Sequence, residues 1–305
     1  LMKKKIAILG STGSIGQITL KIIEKNKKDF DILLLSTNKN ISKVFKQAQK
    51  FKVKNVIIND VKKFKQAQNK FKRLNINIFN NFDDIKKILN KKRLYYSMIS
   101  ISGIDGLRPT LDLIKFSKNL AIVNKESLIC GWSLINKNLK KYKTNFIPID
   151  SEHFSIFSLL KSHSSNEIEQ IYITASGGPF INLPIKQFLK IKYKDALKHP
   201  NWKMGKKITI DSSTMMNKVF EVIETKNIFG VNYKQIQILI HPSSYVHAIV
   251  KFNNGITKIL LHDTNMKIPI HNSIYQSSYK KIKSKPLNIN TLNNLKFSKI
   301  DKKKF

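Results

Sequence analysis

The first forty residues alternate between short unbroken apolar runs and one helical pattern. Ile6-Ala7-Ile8-Leu9 is apolar at every position, as a strand covered on both faces should be. Ile18, Ile22 and Ile23 then recur at helical spacing, and Ile32-Leu33-Leu34-Leu35 makes a second strand that ends at Ser36. Between the first strand and the helix stands Gly10-Ser11-Thr12-Gly13-Ser14-Ile15-Gly16. The order is that of a βαβ unit with a glycine-rich first turn, where backbone can approach a pyrophosphate seated on a helix N-terminus. The spacing is G-x-x-G-x-x-G rather than G-x-G-x-x-G, and an ordinary tight turn is the competing reading.

The same alternation continues. Strands are predicted at 53–58, 98–102, 120–123 and 146–149, with lysine-rich helical patterns over 41–95 and a helix through Leu111, Leu113 and Ile114. This predicts a doubly wound, Rossmann-like α/β domain over residues 1–149, binding NADP. A smaller α/β catalytic domain follows over 150–278, with strands expected at 171–174, 207–210, 237–240 and 248–252. Residues 279–305 are polar and low in complexity and read as a linker or truncated tail.

The second strand bears on the cofactor. NAD sites carry an acid about 20 residues beyond the glycines to hold the ribose 2′-hydroxyl. Here that count falls at Ser36, followed by Thr37-Asn38-Lys39-Asn40, with no carboxylate and with Lys39 able to meet a 2′-phosphate. The pocket therefore favours NADP over NAD. Asn124-Lys125-Glu126 closes the strand at 120–123, where open α/β sheets bind ligands, although a helix cap with a surface charge pair is the plainer reading.

The second domain carries the candidate chemistry. Asp150 and Glu152 flank one serine at a strand end, and extended geometry would aim both to one side. Glu221 and Glu224 share a helical face. Carboxylates from separate segments suit Mg2+ or Mn2+, which prefer oxygen ligands and keep waters for a substrate to replace. Ala175-Ser176-Gly177-Gly178-Pro179-Phe180 is a natural anion cradle, and Asp211-Ser212-Ser213-Thr214-Met215-Met216-Asn217-Lys218 offers hydroxyl, amide and ammonium groups. His199-Pro200-Asn201-Trp202-Lys203-Met204-Gly205 sets one of two tryptophans on a loop, as a lid over a ligand or docked on the protein's own surface.

Composition excludes several classes. The 56 Lys and Arg against 19 Asp and Glu give a net charge of +37, yet only Arg73, Arg93 and Arg108 are arginine. Nucleic-acid readers rely on the arginine fork, so the lysine is read as a solvated surface, such as an AT-rich genome would produce, with no specific nucleic-acid partner. Cys130 is the only cysteine, which excludes an intrachain disulfide and a cysteine metal cluster; it is expected to be a buried, inert thiol. No run approaches the ~18 apolar residues of a membrane span. The apolar run after Lys3-Lys4-Lys5 is cut at Gly10, too early for a signal peptide, so no membrane association and a cytoplasmic location are expected.

Taken in order, Gly10 to Gly16, Asn124-Lys125-Glu126-Ser127, Asp150-Ser151-Glu152-His153, Ala175 to Phe180, His199 to Gly205, Asp211 to Glu224 and Ile240-His241-Pro242 resemble the 1-deoxy-D-xylulose 5-phosphate reductoisomerase family of the non-mevalonate isoprenoid pathway. The resemblance spans residues 4–300. It implies NADPH on Thr12, Gly13, Ser14, Ile15, Asn38, Lys39, Asn40, Asn124, Glu126 and Gly205. It implies Mg2+ or Mn2+ on Asp150, Glu152 and Glu221, and substrate contacts from Lys125, Ser151, Ser176, His199, Ser212, Asn217, Lys218 and Glu221. The catalytic set implied is Lys125, Asp150, Glu152, His199 and Glu221, acting on 1-deoxy-D-xylulose 5-phosphate in a homodimer. Three positions depart from the family pattern: Val219 stands where glycine is usual, and Asn265 and Lys267 where aspartate and arginine are. Family members also continue into a C-terminal helical domain, whereas this chain stops at Phe305; a truncated, catalytically silent remnant is the alternative reading.

Overall fold

In the computed structural model, which describes residues 2–90, 92–199, 201–202, 205–276 and 280–301, the apolar runs of the first half become parallel strands. In chain order the elements are β1 (Lys4–Leu9), α1 (Ser14–Glu24), β2 (Phe30–Thr37), α2 (Ile41–Phe51), β3 (Asn55–Ile58), α3 (Val61–Lys72) and β4 (Asn77–Phe79). They continue through α4 (Ile85–Leu89), β5 (Leu94–Ile99), α5 (Leu107–Ile114), β6 (Ser117–Ile122), α6 (Lys125–Tyr142) and β7 (Asn145–Pro148). The seven strands lie in the order β4-β3-β2-β1-β5-β6-β7, all parallel. Helices cover both faces of such a sheet, which is why its strands read as unbroken apolar runs: Ile6 to Leu9, Leu34, Leu35 and Val56 to Ile58 are all buried. Strand order reverses at β1, and the crevice beyond the carboxyl ends of its neighbours is where such sheets bind ligands.

The second half gives α7 (Ser151–Leu159), β8 (Ile168–Ala175), α8 (Tyr193–Ala196), α9 (Lys206–Ser213), α10 (Met216–Phe229), β9 (Ile236–Ile240), β10 (Val246–Phe252) and β11 (Thr257–Leu261). Next come α11 (Lys267–Ile274), α12 (Ile289–Asn293) and β12 (Ser298–Lys299). A five-stranded mixed sheet runs β11-β10-β8-β9-β12, with only β8 and β9 parallel. Its core is mostly aliphatic, from Ile156, Ile168, Ile171, Ile173, Ala248 and Val250, together with Phe252.

By contact the chain divides into two units, Leu1–Ile149 with Ile270–Ser278 and Asp150–Pro269 with Tyr279–Phe305. Two segments differ from the sequence reading. Residues 270–278 belong with the first unit, where the Tyr96 and Ser273 hydroxyls share a buried 2.8 Å hydrogen bond. The stretch read as a linker supplies β12, which pairs Ser298 with Ile240 and Lys299 with Leu239. Residues 277–279 and 302–305 of that region lie outside the described residues.

Two further expectations are corrected. Residues 207–210 are helical, not a strand, because Gly205 caps α9 and buries Thr209 and Ser213 one turn apart. The Thr209 hydroxyl donates to Gly205 O at 2.9 Å, a back-bond open only to a helix, and this outweighs the β-branched composition of Ile208, Thr209 and Ile210. Cys130 is exposed rather than buried, since the covered stripe of α6 runs through Ser127, Leu128, Gly131, Ile135 and Leu139 and leaves Cys130 beside it. Among the described residues, no helix is long and apolar enough to cross a membrane.

Candidate active site

A carboxylate group forms where β7 gives way to α7. Asp150 is the N-cap of α7, and its Oδ1 accepts from the backbone N–H of Glu152 at 3.0 Å and of His153 at 3.4 Å. Capping, not strand alternation, therefore turns Asp150 and Glu152 to the same side. Glu221 reaches them from α10, so that one oxygen from each of Asp150, Glu152 and Glu221 lies within 4.8 Å of the others. Glu224 lies outside this trio, with Oε2 3.9 Å from His153 Nδ1.

Lys218 brings a positive charge to this site. Its buried ammonium donates to Glu221 Oε2 at 2.5 Å, to Thr174 O at the end of β8 at 2.6 Å and to Glu152 Oε1 at 2.9 Å. Burial alone would lower its pKa, but Glu152 and Glu221 outweigh that and raise it, so Lys218 stays charged. Glu152 is pushed up to about 7, by burial first and then by the Glu221 charge, with Lys218 opposing and Asp150 adding. The three clustered carboxylates make a donor set that is all oxygen, which fits a hard divalent cation. Ser151 donates to Glu152 Oε2 at 2.5 Å, and Asn217 Nδ2 to Glu221 Oε1 at 2.5 Å. Asn217 Oδ1 is buried without a hydrogen-bond partner among the described residues, an acceptor left for a ligand hydroxyl.

An anion cradle adjoins this group. After β8 the chain passes through Gly177 and Gly178 at φ +87° and +69°. A Cβ on Gly178 would stand 2.8 Å from Ser212 O, so only glycine lets this turn approach α9. Gly178 N–H donates to Ser176 Oγ at 3.2 Å. His199 Nε2 lies 3.3 Å from the same oxygen, while His199 Nδ1 accepts from the backbone N–H of Asn201 at 3.2 Å and of Trp202 at 3.0 Å. Two donors on Nδ1 fix the tautomer: the proton is on Nε2, facing Ser176. Burial, then Lys218, lowers the His199 pKa and keeps the ring neutral. Beside the cradle is a cavity of about 460 Å³, lined by Ser176, Gly178, Phe180, Asp195, Lys198 and Pro242. Trp202 is half-buried with its ring edge toward His247, centroids 6.1 Å apart, so this loop docks on the protein's own surface; Pro200, Lys203 and Met204 lie outside the described residues.

The first unit holds the glycine turn. Gly10 has φ +79°, and a Cβ there would stand 2.5 Å from Ser100 O. Gly10 N–H donates to Ser36 Oγ at 2.9 Å, Ser11 N–H to Ser36 O at 2.9 Å, and the Thr12 and Thr37 hydroxyls bond at 2.8 Å. Gly13 caps α1 without a side-chain bond, which leaves first-turn N–H groups at Ser14 and Ile15 suited to a pyrophosphate. Asn38, Lys39 and Asn40 are exposed past the end of β2, Lys39 Nζ lies 3.8 Å from Asp60, and Asn40 caps α2. An open cavity of about 560 Å³ is lined by Lys39, Asn40, Ile41, Ser42, Lys63 and Gln66. Asn124 caps α6: its Oδ1 accepts from Ser127 N–H at 2.6 Å, and its Nδ2 donates to Ile101 O and Gly103 O at 2.5 Å each. That is the plainer reading of this residue, and it presents Lys125 and Glu126 in the first turn of α6. Gly205 lies in the second unit as the cap of α9.

Val219 needs no glycine conformation, because it is helical and 48% exposed on α10. Asn265 is spent on the Lys267 backbone, accepting its N–H at 3.0 Å. Sequence reasoning passed over His153, which is fully buried with Nδ1 3.3 Å from Asp150 Oδ1 and Nε2 3.0 Å from both Glu221 O and Thr225 Oγ1. The available signal was its place directly after Asp150-Ser151-Glu152. Thr174 O and the stacked His247 and His262 rings, 3.8 Å apart, carry no sequence signal.

Comparison with known proteins gives one family. Its model, described as 1-deoxy-D-xylulose 5-phosphate reductoisomerase, matches residues 6–131, and the model of the C-terminal domain of that enzyme matches 146–229. A curated protein of that name from Pelagibacter ubique (strain HTCC1062) is 62% identical over 303 residues, covering 99% of this chain and 78% of its own length. One from Clostridium novyi (strain NT) is 40% identical, covering 99% and 79%. Among solved structures, the Zymomonas mobilis reductoisomerase in complex with NADPH superposes with a TM-score of 0.91 at 29% identity, covering all of this chain and 79% of that one. A reductoisomerase in complex with NADPH, fosmidomycin and magnesium gives 0.89 at 34% identity, covering 99% and 77%.

Proposed function

This chain belongs to the 1-deoxy-D-xylulose 5-phosphate reductoisomerase family, and from that premise we infer that it rearranges and reduces 1-deoxy-D-xylulose 5-phosphate to 2-C-methyl-D-erythritol 4-phosphate, using NADPH and Mg2+ or Mn2+. The observation that carries the reading is the convergence of Asp150, Glu152 and Glu221 within 4.8 Å beside the buried Lys218 ammonium. Asp150, Glu152 and Glu221 are the residues that hold the metal ion. When bound, the metal supplies a Lewis acid for the substrate's ketone and neighbouring hydroxyl. NADPH supplies the hydride.

The chain's own groups bind and orient. Ser176, Ser212 and the Nε2–H of neutral His199 hold the substrate phosphate, joined by Asn217 and Lys218 at the boundary with the carboxylates. Lys218 also supplies positive charge against Glu152 and Glu221 and opposes the rise in the Glu152 pKa, in a site from which water is largely excluded. Ser151 and Lys125 contact the substrate. Asn217 anchors Glu221 through one amide atom and offers the other to a substrate hydroxyl. In the nucleotide domain, residues 1–149, the turn of Thr12, Gly13, Ser14 and Ile15 takes the pyrophosphate and Asn38, Lys39 and Asn40 take the 2′-phosphate, with Asn124 and Glu126; Gly205, in the second unit, completes the set. The protein works in the cytoplasm as a homodimer.

The test is NADPH oxidation by the purified chain with Mn2+ and 1-deoxy-D-xylulose 5-phosphate. Oxidation should require both and vanish in Glu221→Ala; oxidation without metal, or undiminished in that variant, would refute the reading.

A further inference from the structure

β12 is a two-residue strand, Ser298–Lys299, at the edge of the second sheet. A ladder that short holds little by itself; Ile300 packs beside it against Ala175, Met215 and Ile240, and one side chain, His241, adds directed bonds. His241 follows β9 directly and is fully buried. Its ring stacks on Phe297, centroids 4.6 Å apart and 17° from parallel. Nδ1 lies 2.8 Å from Lys296 O, a pure acceptor, so the proton is on Nδ1; Nε2 then accepts from the Ser243 hydroxyl at 2.9 Å. Every polar atom of the ring is spent on joining residues 296–297 to the turn 241–244.

That turn leads on to the active-site loop. His241 N–H donates to Ala175 O at 2.7 Å, immediately before Ser176. Ser244 N–H donates to His241 O at 2.9 Å and Ser244 is held at φ +52°. Asn201 is tied to both ends of the turn, its Nδ2 donating to Pro242 O at 2.5 Å and to Ser244 Oγ at 2.9 Å. Asn201 N–H in turn fixes His199 Nδ1. We infer that His241 is a positioning residue for the reaction: it fastens residues 296–299 to the turn 241–244, and through that turn holds Asn201 and the His199 imidazole at the Ser176 hydroxyl. The part concerning substrate rests on the reading of His199 as a phosphate-binding group.

Phe297 tests this from the far end, since it touches none of the proposed binding groups. In the full chain with Trp132→Phe, Trp202 is the only tryptophan and its fluorescence reports the loop without any catalysis. Phe297→Ala should raise acrylamide quenching of Trp202 about twofold and the KM for 1-deoxy-D-xylulose 5-phosphate about tenfold, with kcat and the Kd for NADPH unchanged, as the loss of one anchoring hydrogen bond would. Phe297→Tyr keeps the stacked ring and should restore both. Asn201→Ala should raise KM similarly, and adding Phe297→Ala to it should raise KM no further, because both act through one link. If Phe297→Ala fails to fold by circular dichroism, Phe297→Leu, which keeps the apolar cover but not the stacking, carries the same comparison. Wild-type quenching and KM in the Phe297 variant, or additive effects in the double variant, would overturn the inference. An inactive wild-type chain would count against the proposed function, while the quenching comparison would still decide this one.

Discussion

Lys218 Nζ lies 2.5 Å from Glu221 Oε2, one turn further along the same helix, and 2.9 Å from Glu152 Oε1. With side chains 6%, 15% and 1% exposed for Lys218, Glu152 and Glu221, the ammonium and both carboxylates are largely withdrawn from water. The ammonium and a divalent cation would therefore serve the same two carboxylates, and each would substitute for part of what the other does.

Removing Lys218 should make the fold depend on metal. Lys218→Met leaves buried carboxylates uncompensated, and breaking such a pair costs about 3–5 kcal/mol. In EDTA the melting temperature should drop well below that of the unaltered chain. Mn2+ should then raise it by more in the variant than in the unaltered chain. Equal metal-induced shifts in thermal melts would show that the two cations do not share these carboxylates.

Glu221→Gln keeps the shape of the ligand and removes its charge. Loss of an outer-shell partner typically costs about 10–100-fold in metal affinity, and loss of a ligand carboxylate should cost at least about the upper end of that. Titration of Mn2+ followed by electron paramagnetic resonance measures this without substrate. Glu224→Gln, outside the trio, should bind Mn2+ nearly as the unaltered chain does.

What the sequence disclosed and what it hid divide along one physical line. The glycine turn, the strands before and after it and the missing acid near Ser36 are local facts, because a parallel strand must be apolar along its whole length and a nucleotide turn must lack side chains. The acids at 150, 152 and 221 were legible as residue types, but their convergence depends on the Asp150 cap and on the approach of α10. Residues 207–210 misled because Ile208, Thr209 and Ile210 favour strands, while the deciding contacts, the Gly205 cap and the buried Ser213, lie outside the run. His153, Thr174 O and His241 matter through partners between 44 and 68 positions away, and no pattern along the chain announces such contacts.

Cofactor preference should follow the charge beyond β2. Lys39 faces Asp60 at 3.8 Å, and Asp60 also caps α3 by accepting from Lys63 N–H at 2.9 Å. Lys39→Ala should weaken NADPH binding about tenfold and leave NADH unchanged, since only the former carries the 2′-phosphate. Asp60→Asn retains the cap and relieves repulsion of the phosphate, so NADPH should bind severalfold tighter. Quenching of intrinsic fluorescence by each nucleotide gives the four dissociation constants. Equal losses for NADPH and NADH in Lys39→Ala would remove Lys39 from the 2′-phosphate site.

The tautomer of His199 decides which substitution it tolerates. The proton on Nε2 points toward Ser176 while Nδ1 is spent on two backbone N–H groups. Glutamine extends an N–H donor to about the reach of Nε2, whereas asparagine reaches only as far as Nδ1. His199→Gln should therefore hold the KM for the phosphorylated substrate within about tenfold of the unaltered chain, a loss of one neutral hydrogen bond at most. His199→Asn and His199→Ala should both lose more. The reverse order in steady-state kinetics would mean that Nδ1 is the working atom.

Acid stability should carry the signature of the stacked histidines. His247 is held at about 3 by burial first and by His262 second, and burial lowers His262 as well. In the unfolded chain each imidazole takes a proton as pH falls below its ordinary value, while the folded chain refuses it, so the unfolded state binds more protons in this window. Stability is therefore present above that value and is lost as pH falls toward 3, by up to roughly 1.4 kcal/mol per pH unit for each imidazole. Glu152 acts in the opposite direction in the metal-free protein. Raised to about 7, it holds its proton in the folded state while the unfolded chain releases it, so it favours folding as pH drops from 7 toward the ordinary carboxylate range. Comparing the unaltered chain with His247→Gln cancels that contribution and the one from His262. Urea unfolding in EDTA at pH 7, 6 and 5 should show the unaltered chain losing stability faster, by close to one proton's slope below pH 6. Parallel curves would mean that the folded chain protonates His247 as readily as the unfolded one, which a ring buried beside a second imidazole should not allow.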